Sequence, residues 1–249
     1  MMKESSISVK NLSISYRILR KVSIKRSILS LFTKKIELHE AVKGISFEVE
    51  KGQILGIVGK NGSGKSTLLR AMAGIFAADG GAIDLHGNSI SLLSIGVGFN
   101  PKLSGYDNIF LSGMLLGFTQ EEISKKVDDI IEFSELGSFV YKPVRTYSSG
   151  MHSKLAFSIT AVLETDISLI DEVLSVGDIQ FKEKSYNKMK EIISDTNRTV
   201  LIVSHSSETL LELCDEVLWL HDGVIKMQGK PKKVVAAYEK FMRDTETTN

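Results

Sequence analysis

An α/β fold built around a phosphate-binding loop is what this sequence predicts, and three observations carry the prediction. Residues 59–67 read Gly-Lys-Asn-Gly-Ser-Gly-Lys-Ser-Thr, directly after the apolar run Ile54–Val58 and directly before Leu68-Leu69-Arg70-Ala71-Met72. That order is strand, glycine-rich loop, helix. A second apolar run, Ile167–Ile170, ends in the carboxylates Asp171 and Glu172, and a third, Thr199–Val203, leads into Ser204 and His205. The bare loop pattern arises by chance in roughly one chain in a hundred of this length, and the flanking strand and helix make chance far rarer.

The other elements follow along the chain. Residues 7–9 and 45–49 alternate as strands, and Glu50-Lys51-Gly52 turns into the strand at Ile54, which predicts an antiparallel edge feeding the nucleotide core. Gly80-Gly81 and Gly87-Asn88 punctuate short strands at 82–85 and 89–93. From about 95 to 164 the periodicity is helical: Thr119 with Glu122 makes a capping box, and Ile123, Val127 and Ile130-Ile131 share a face. This reads as an inserted helical subdomain. Strands return at Ile167–Ile170 and Thr199–Val203, separated by a helix near 181–193. Residues 217–220 and 224–227, joined by His221-Asp222-Gly223, form a hairpin, and 231–249 one terminal helix with a frayed end.

The loop works through geometry and charge. Gly62 and Gly64 accept backbone conformations that a Cβ resists, so the N–H groups of residues 61–66 can turn inward around phosphate oxygens. Gly59, Asn61, Gly62, Ser63, Gly64, Lys65, Ser66 and Thr67 are therefore the candidate nucleotide-binding residues. Lys65 supplies a point charge for the β- and γ-phosphates. Ser66 offers its hydroxyl to Mg²⁺, and the helix starting there turns its positive end to the anion. Asp171 is the candidate metal holder, and Glu172 the group that orients and polarises an attacking water. His205, at the end of a core strand, can contact a γ-phosphate. Upstream of these lies Tyr147-Ser148-Ser149-Gly150-Met151, a second anion-binding helix start. Because the first loop already holds the phosphates, this one suggests the nucleotide of a second subunit.

Composition narrows the classes. The 249 residues, 43% hydrophobic and 24% charged, can bury a substantial core in at most two domains. A net charge of +1 implies no general binding of polyanions. The first ten residues are polar and charged, so no secretory signal is expected, and no apolar run approaches the ~20 residues needed to cross a bilayer. Cys214 is the single cysteine, which rules out an intramolecular disulfide and fits a reducing compartment. It reads as a small apolar residue on a helix.

With these motifs in this order, nearly the whole chain resembles the ATP-binding subunit of an ABC transporter. The resemblance implies a single ABC-type nucleotide-binding domain over 1–249, with a P-loop NTPase, RecA-like core, an antiparallel β subdomain and the α-helical insertion. It makes residues 59–67 the Walker A loop, 147–151 the signature, 167–171 the Walker B strand, Glu172 the catalytic glutamate, 175–178 the D-loop, including Asp178, and His205 the switch histidine. Lys65 joins Glu172 and His205 in the chemistry. Two copies would face head to tail, each ATP lying between one copy's loop and the other's Ser148, Ser149 and Gly150. Tyr16 matches the aromatic residue that stacks on adenine, although a strand tyrosine facing a core is the alternative. ATP and Mg²⁺ would be the cofactors and a transmembrane permease the partner, with the chain peripheral on the cytoplasmic face of the membrane and no nucleic acid bound.

The departures from the family pattern also inform. Tyr147, Ser149 and Met151 replace the leucine, first glycine and glutamine of the usual signature, Gly177 stands where leucine is common, and no glutamine occurs between Ser89 and Lys102. The signature form, residues 98–105 and residues 171–178 resemble exporters of teichoic acid, O-antigen and capsule polysaccharide; residues 131–137 favour the teichoic-acid group. The implied activity is ATP-driven export of a lipid-linked cell-surface polymer. A drug or lipid exporter is the alternative within transport, and a soluble ABC ATPase acting on ribosomes or DNA the alternative outside it. A permease helix is expected to dock at about 95–106, where Phe99 looks exposed. Between 17 and 39, seven basic residues stand against Glu37, with Ile24, Ile28 and Leu31 at helical spacing. This stretch suits an anionic leaflet or membrane partner, or equally a solvated helix over the sheet edge.

Overall fold

The computed structural model describes residues 4–18, 37–93, 98–171 and 178–246. In chain order the elements are β1 (Ser5–Ile18), β2 (Glu37–Glu50), β3 (Ile54–Val58), α1 (Lys65–Met72), β4 (Gly80–Asp84), β5 (Ile90–Leu93), α2 (Gly105–Leu115), α3 (Gln120–Ser134), 3-10 turns at Gly137–Tyr141 and Val144–Thr146, α4 (Ser149–Val162), β6 (Ile167–Ile170), α5 (Ile179–Ser194), β7 (Thr199–Val203), α6 (Ser207–Leu213), β8 (Glu216–His221), β9 (Val224–Gly229) and α7 (Pro231–Glu246).

Two sheets organise the core. A six-stranded sheet runs β5-β6-β7-β3-β8-β9, parallel except for the terminal β8–β9 hairpin. Every residue of β6 and β7 is buried. Such runs lack alternation because a parallel sheet is covered on both faces. A three-stranded antiparallel sheet, β2-β1-β4, lies beside it. Helix α1 is packed with both sheets: Leu68, Leu69 and Met72 share one apolar cluster with Ile7, Val9 and Leu12 of β1 and with Leu55, Ile57 and Leu169. Helices α4 and α5 cover other residues of the parallel sheet through Phe157, Phe181 and Ile192 against Val200 and Ile202.

Helices α2, α3 and α4 build a separate apolar cluster around Ile109, Ile123, Ile130, Leu155 and Ile159. Helix α3 starts on the Thr119–Glu122 capping box, with Thr119 N–H donating to Glu122 Oε2 at 2.8 Å. An equivalent box, Ser104 with Asp107, starts α2 and was not anticipated from sequence. Three rings, Phe133, Phe157 and Phe181, meet at centroid separations of 5.8 to 6.2 Å and tie α3, α4 and α5 together.

Strands β1 and β2 run much further than residues 7–9 and 45–49, each reaching 14 residues. Their outer halves pair Ile14 with Val42, Tyr16 with His39 and Ile18 with Glu37, so ladder hydrogen bonds rather than apolar alternation carry the extension. Residues 17–18 and 37–39 of the expected basic amphipathic stretch are therefore strand ends, and residues 19–36, with Ile24, Ile28 and Leu31, lie outside the described residues. Cys214 is the C-cap of α6 rather than a residue inside a helix. Burial, and then the Asp215 charge, push its thiol up to about 12.

Phe157 is fully buried and belongs to the ring cluster that joins the helical layer to the sheet. Phe157→Ala is expected to lower unfolding stability by about 3–5 kcal/mol, measured by urea denaturation of the purified chain.

Candidate functional site

The parallel strands deliver the site at their carboxyl ends, where loops leave the sheet. The phosphate loop follows β3, Asp171 follows β6 and His205 stands two residues beyond β7. The loop is held by backbone on both sides. A Cβ on Gly59 would lie 2.1 Å from the Leu220 carbonyl oxygen of β8, and one on Gly64 would lie 2.3 Å from the Ala41 carbonyl oxygen of β2. Gly64 also takes φ +104°, which a side chain disfavours. Glycine is required at Gly59 for close approach and at Gly64 for both reasons. The Ser63 carbonyl accepts from Gly223 N–H of the β8–β9 turn at 3.1 Å, and the Gly223 carbonyl accepts from Lys43 N–H of β2 at 2.8 Å.

Within this frame the side chains converge. Tyr16, His39, Asn61, Gly62, Gly64, Lys65, Ser66, Thr67, Asp171 and His205 line one cleft of about 320 Å³. Lys65 is buried and donates from Nζ to the Gly59 and Lys60 carbonyl oxygens at 2.7 and 3.0 Å, which keeps its charge over the loop. Tyr16 Oη donates to Thr67 Oγ1 at 2.9 Å and its ring stands edge-on to Phe76 at 5.8 Å. Gly59 and Ser63 belong to the loop but do not line the cleft; Gly59 approaches the Leu220 carbonyl of β8, and buried Ser63 bonds the β8–β9 turn through its carbonyl. Glu172 and residues 173–177 fall outside the described residues. His39 was not singled out from sequence; the only available signal was its position opposite Tyr16 in a ladder whose length local alternation did not reveal.

Ser148, Gly150 and Asp178 line a different cleft, with Glu135, Phe139, Met151 and Lys154. Ser148 caps α4 by accepting from Met151 N–H at 3.2 Å, and Ser149 is the first helical residue. Lys154 of the same helix bonds Asp178 Oδ2 at 2.8 Å and Glu135 Oε2 at 3.0 Å, while Lys184 reaches Glu135 Oε1 at 3.2 Å. Asp178 also accepts from Phe181 N–H at 3.0 Å as the cap of α5. The Lys154 ammonium, and then that N–H, hold the Asp178 carboxyl down to about 2. Burial works against the charge on Lys154, but Asp178 and Glu135 outweigh it and raise its pKa.

The segment before α2 corrects one expectation. Phe99 is half-buried, with its ring 4.8 Å from that of His152 on α4, and burial lowers the His152 pKa. Gly105 belongs to α2 itself, where a Cβ would meet Tyr147 Oη at 2.2 Å. Buried Asn108 clamps Asn100, accepting from its N–H at 2.7 Å and donating to its carbonyl at 3.0 Å. The Pro101 and Leu103 carbonyls accept from Arg145 and Val144 N–H groups, both at 2.9 Å, in the turn that precedes Tyr147. The Asn100 side chain serves a local turn by accepting from Lys102 N–H. Among the described residues no helix is long and apolar enough to cross a membrane.

A P-loop between a parallel and an antiparallel sheet, with a strand-end carboxylate and histidine on the loop's cleft, defines a P-loop nucleotide-binding cassette. Residues 42–175 match the family described as ABC transporter, and the chain belongs to that family. It is 44% identical over 218 residues to the teichoic acids export ATP-binding protein TagH of Lactococcus lactis, covering 88% of this chain and 46% of that protein. It is 42% identical over 206 residues to the O-antigen export system ATP-binding protein RfbB of Myxococcus xanthus, covering 83% and 47%. With the RfbB protein of Klebsiella pneumoniae the identity is 41% over 202 residues, covering 81% and 82%. The chain spans about half the length of the first two relatives. A solved dimeric ATP-binding cassette, described as a post-hydrolysis state bound to ADP and Pi, superposes with a TM-score of 0.66 at 19% identity, covering 90% of this chain and 98% of that one. The ABC-type P-loop fold is thereby shown.

Lys154→Met is expected to move the Asp178 titration up toward the ordinary carboxylate value of 3.8, followed by carboxyl-carbon NMR. Because the folded pKa is depressed, the stabilisation carried by this carboxylate is in place above pH 3.8 and is lost as pH falls toward 2. The variant loses the part of that stabilisation that Lys154 supplies at every pH above the window, while the Phe181 N–H contact remains.

Proposed function

We propose that this chain is the ATP-hydrolysing subunit of an ABC transporter that exports a lipid-linked cell-surface polymer, a teichoic acid or related polysaccharide, across the cytoplasmic membrane. The observation that carries the ATPase reading is that Lys65, Ser66, Asp171 and His205, drawn from three strand ends, line one cleft. The polymer reading is supported by relatives named for teichoic-acid and O-antigen export.

In this reading residues 1–249 act as one nucleotide-binding domain. The loop amides and Lys65 bind and orient the triphosphate, and His205 contacts the γ-phosphate from the end of β7. Ser66 and Asp171 would hold Mg²⁺, which when bound supplies charge that offsets that of the phosphates. One hydroxyl and one carboxylate suit an ion that keeps waters and phosphate oxygens as its other ligands, and among the described residues no group of three or more metal-ligating side chains forms a dedicated cage. Glu172, next to Asp171 in sequence, takes the role of orienting and activating water.

The separate cleft holding Ser148, Gly150 and Asp178 supports a head-to-tail homodimer in which those residues and Ser149 complete the partner's nucleotide site. The ion pair with Lys154 ties Asp178 to the signature helix beside Ser148 and Gly150. A transmembrane permease would provide the polymer's path and hold the subunit on the cytoplasmic face. We place its docking near residues 95–106, of which 95–97 lie outside the described residues, because the backbone bonds from Pro101 and Leu103 to Arg145 and Val144 carry displacement there directly to the signature.

Glu172→Gln is expected to retain ATP binding and lose about 10²-fold or more of turnover, whereas Lys65→Ala weakens binding itself by about tenfold or more, both read by calorimetry beside phosphate release. Unimpaired hydrolysis in Glu172→Gln removes that residue from the mechanism. Depleting the protein in its host is expected to strand lipid-linked polymer inside the cell. Unchanged surface polymer with retention of a drug or lipid instead would refute the polymer assignment and leave the ATPase assignment standing.

A further inference from the structure

We propose that His39 is a nucleobase-binding residue that forms, with Tyr16, a two-ring wall for the base of the bound nucleotide; the inference rests on the ATP reading above. Strands β1 and β2 place Tyr16 and His39 directly opposite each other in an antiparallel ladder. Directly opposed residues project from the same face with Cβ atoms roughly 4.5–5.5 Å apart. Both side chains line the cleft that contains Lys65, and His39 is exposed there.

The cleft has two chemically distinct ends. Asp171 and His205 come from the carboxyl ends of β6 and β7 in the parallel sheet, and this end carries the groups that meet metal and terminal phosphate. Tyr16 and His39 come from the antiparallel sheet. Tyr16 is pinned at the start of α1 by its bond to Thr67 and by the edge contact with Phe76. A triphosphate lying along the loop between these ends directs its nucleoside away from Asp171 and toward the rings. A purine gains from stacking against planar side chains, and the imidazole adds a second ring within reach of the same ligand. The neighbouring residues Leu38 and Glu40 do not line the cleft, whereas His39 and Ala41 do, in keeping with strand alternation.

The test separates base from phosphate. Affinities of the purified chain for Mg²⁺–ATP and for Mg²⁺–tripolyphosphate, which has no base, are measured by calorimetry. His39→Ala is expected to weaken ATP binding about tenfold and to leave tripolyphosphate binding unchanged. His39→Phe, which keeps a ring at the position, is expected to recover most of the ATP affinity. An equal loss for both ligands makes His39 a phosphate contact and overturns the proposal, as does unchanged ATP affinity in His39→Ala. Lys65→Ala serves as the reference and weakens both ligands. If it weakens neither, the loop does not bind triphosphate and the underlying ATP reading falls, taking the base wall with it.

Discussion

The approach of the phosphate loop to two backbone carbonyls, Ala41 on β2 and Leu220 on β8, is the constraint on which the rest of the site depends. A loop so close to both sheets leaves no room for a Cβ at Gly59 or Gly64, and its position is set by main chain rather than by adaptable side chains. The β8–β9 turn completes the brace, since Gly223 bonds Ser63 on one side and Lys43 on the other. Phosphate-binding amides gain most when they are fixed before the ligand arrives, because no reorganisation then opposes binding. The antiparallel sheet therefore acts as a structural wall of the nucleotide cleft as well as a source of Tyr16 and His39.

A second set of contacts organises the helical part. Lys154 on α4 reaches both Asp178 at the start of α5 and Glu135 at the end of α3, and Lys184 closes the group from α5. Burial of most of the Lys154 side chain makes its two carboxylate partners necessary, since an unpaired ammonium there would be costly. The three-ring cluster of Phe133, Phe157 and Phe181 packs the same three helices together. Helices α3, α4 and α5 are thus joined by charge and by aromatic packing, which favours their moving as one body.

The segment from Phe99 to Ser104 is joined to that body as well. Asn108 holds Asn100, and the Pro101 and Leu103 carbonyls bond the turn before Tyr147. The glycines that flank it do different work from one another: Gly98 takes positive φ, while Gly105 is packed against Tyr147 inside a helix. A push on this segment meets hydrogen bonds and the Phe99–His152 contact rather than slack chain.

By itself the sequence determined the parts whose information is local. The glycine spacing of the loop, the apolar runs ending in Asp171 and leading to His205, the Thr119 capping box and the β8–β9 hairpin were all legible, because each depends on residues a few positions apart. Their order was enough to recognise the family and to mark Lys65, Ser66, Asp171 and His205 as candidates. Tertiary structure alone decided what depends on distant partners. It gathered those residues into one cleft, extended β1 and β2 by ladder bonds that polar residues do not advertise, and brought His39 opposite Tyr16. It also joined Lys154 to carboxylates 19 and 24 positions away and turned Phe99 onto His152, because a contact between separate elements exists only once sheets and helices have fixed their relative positions.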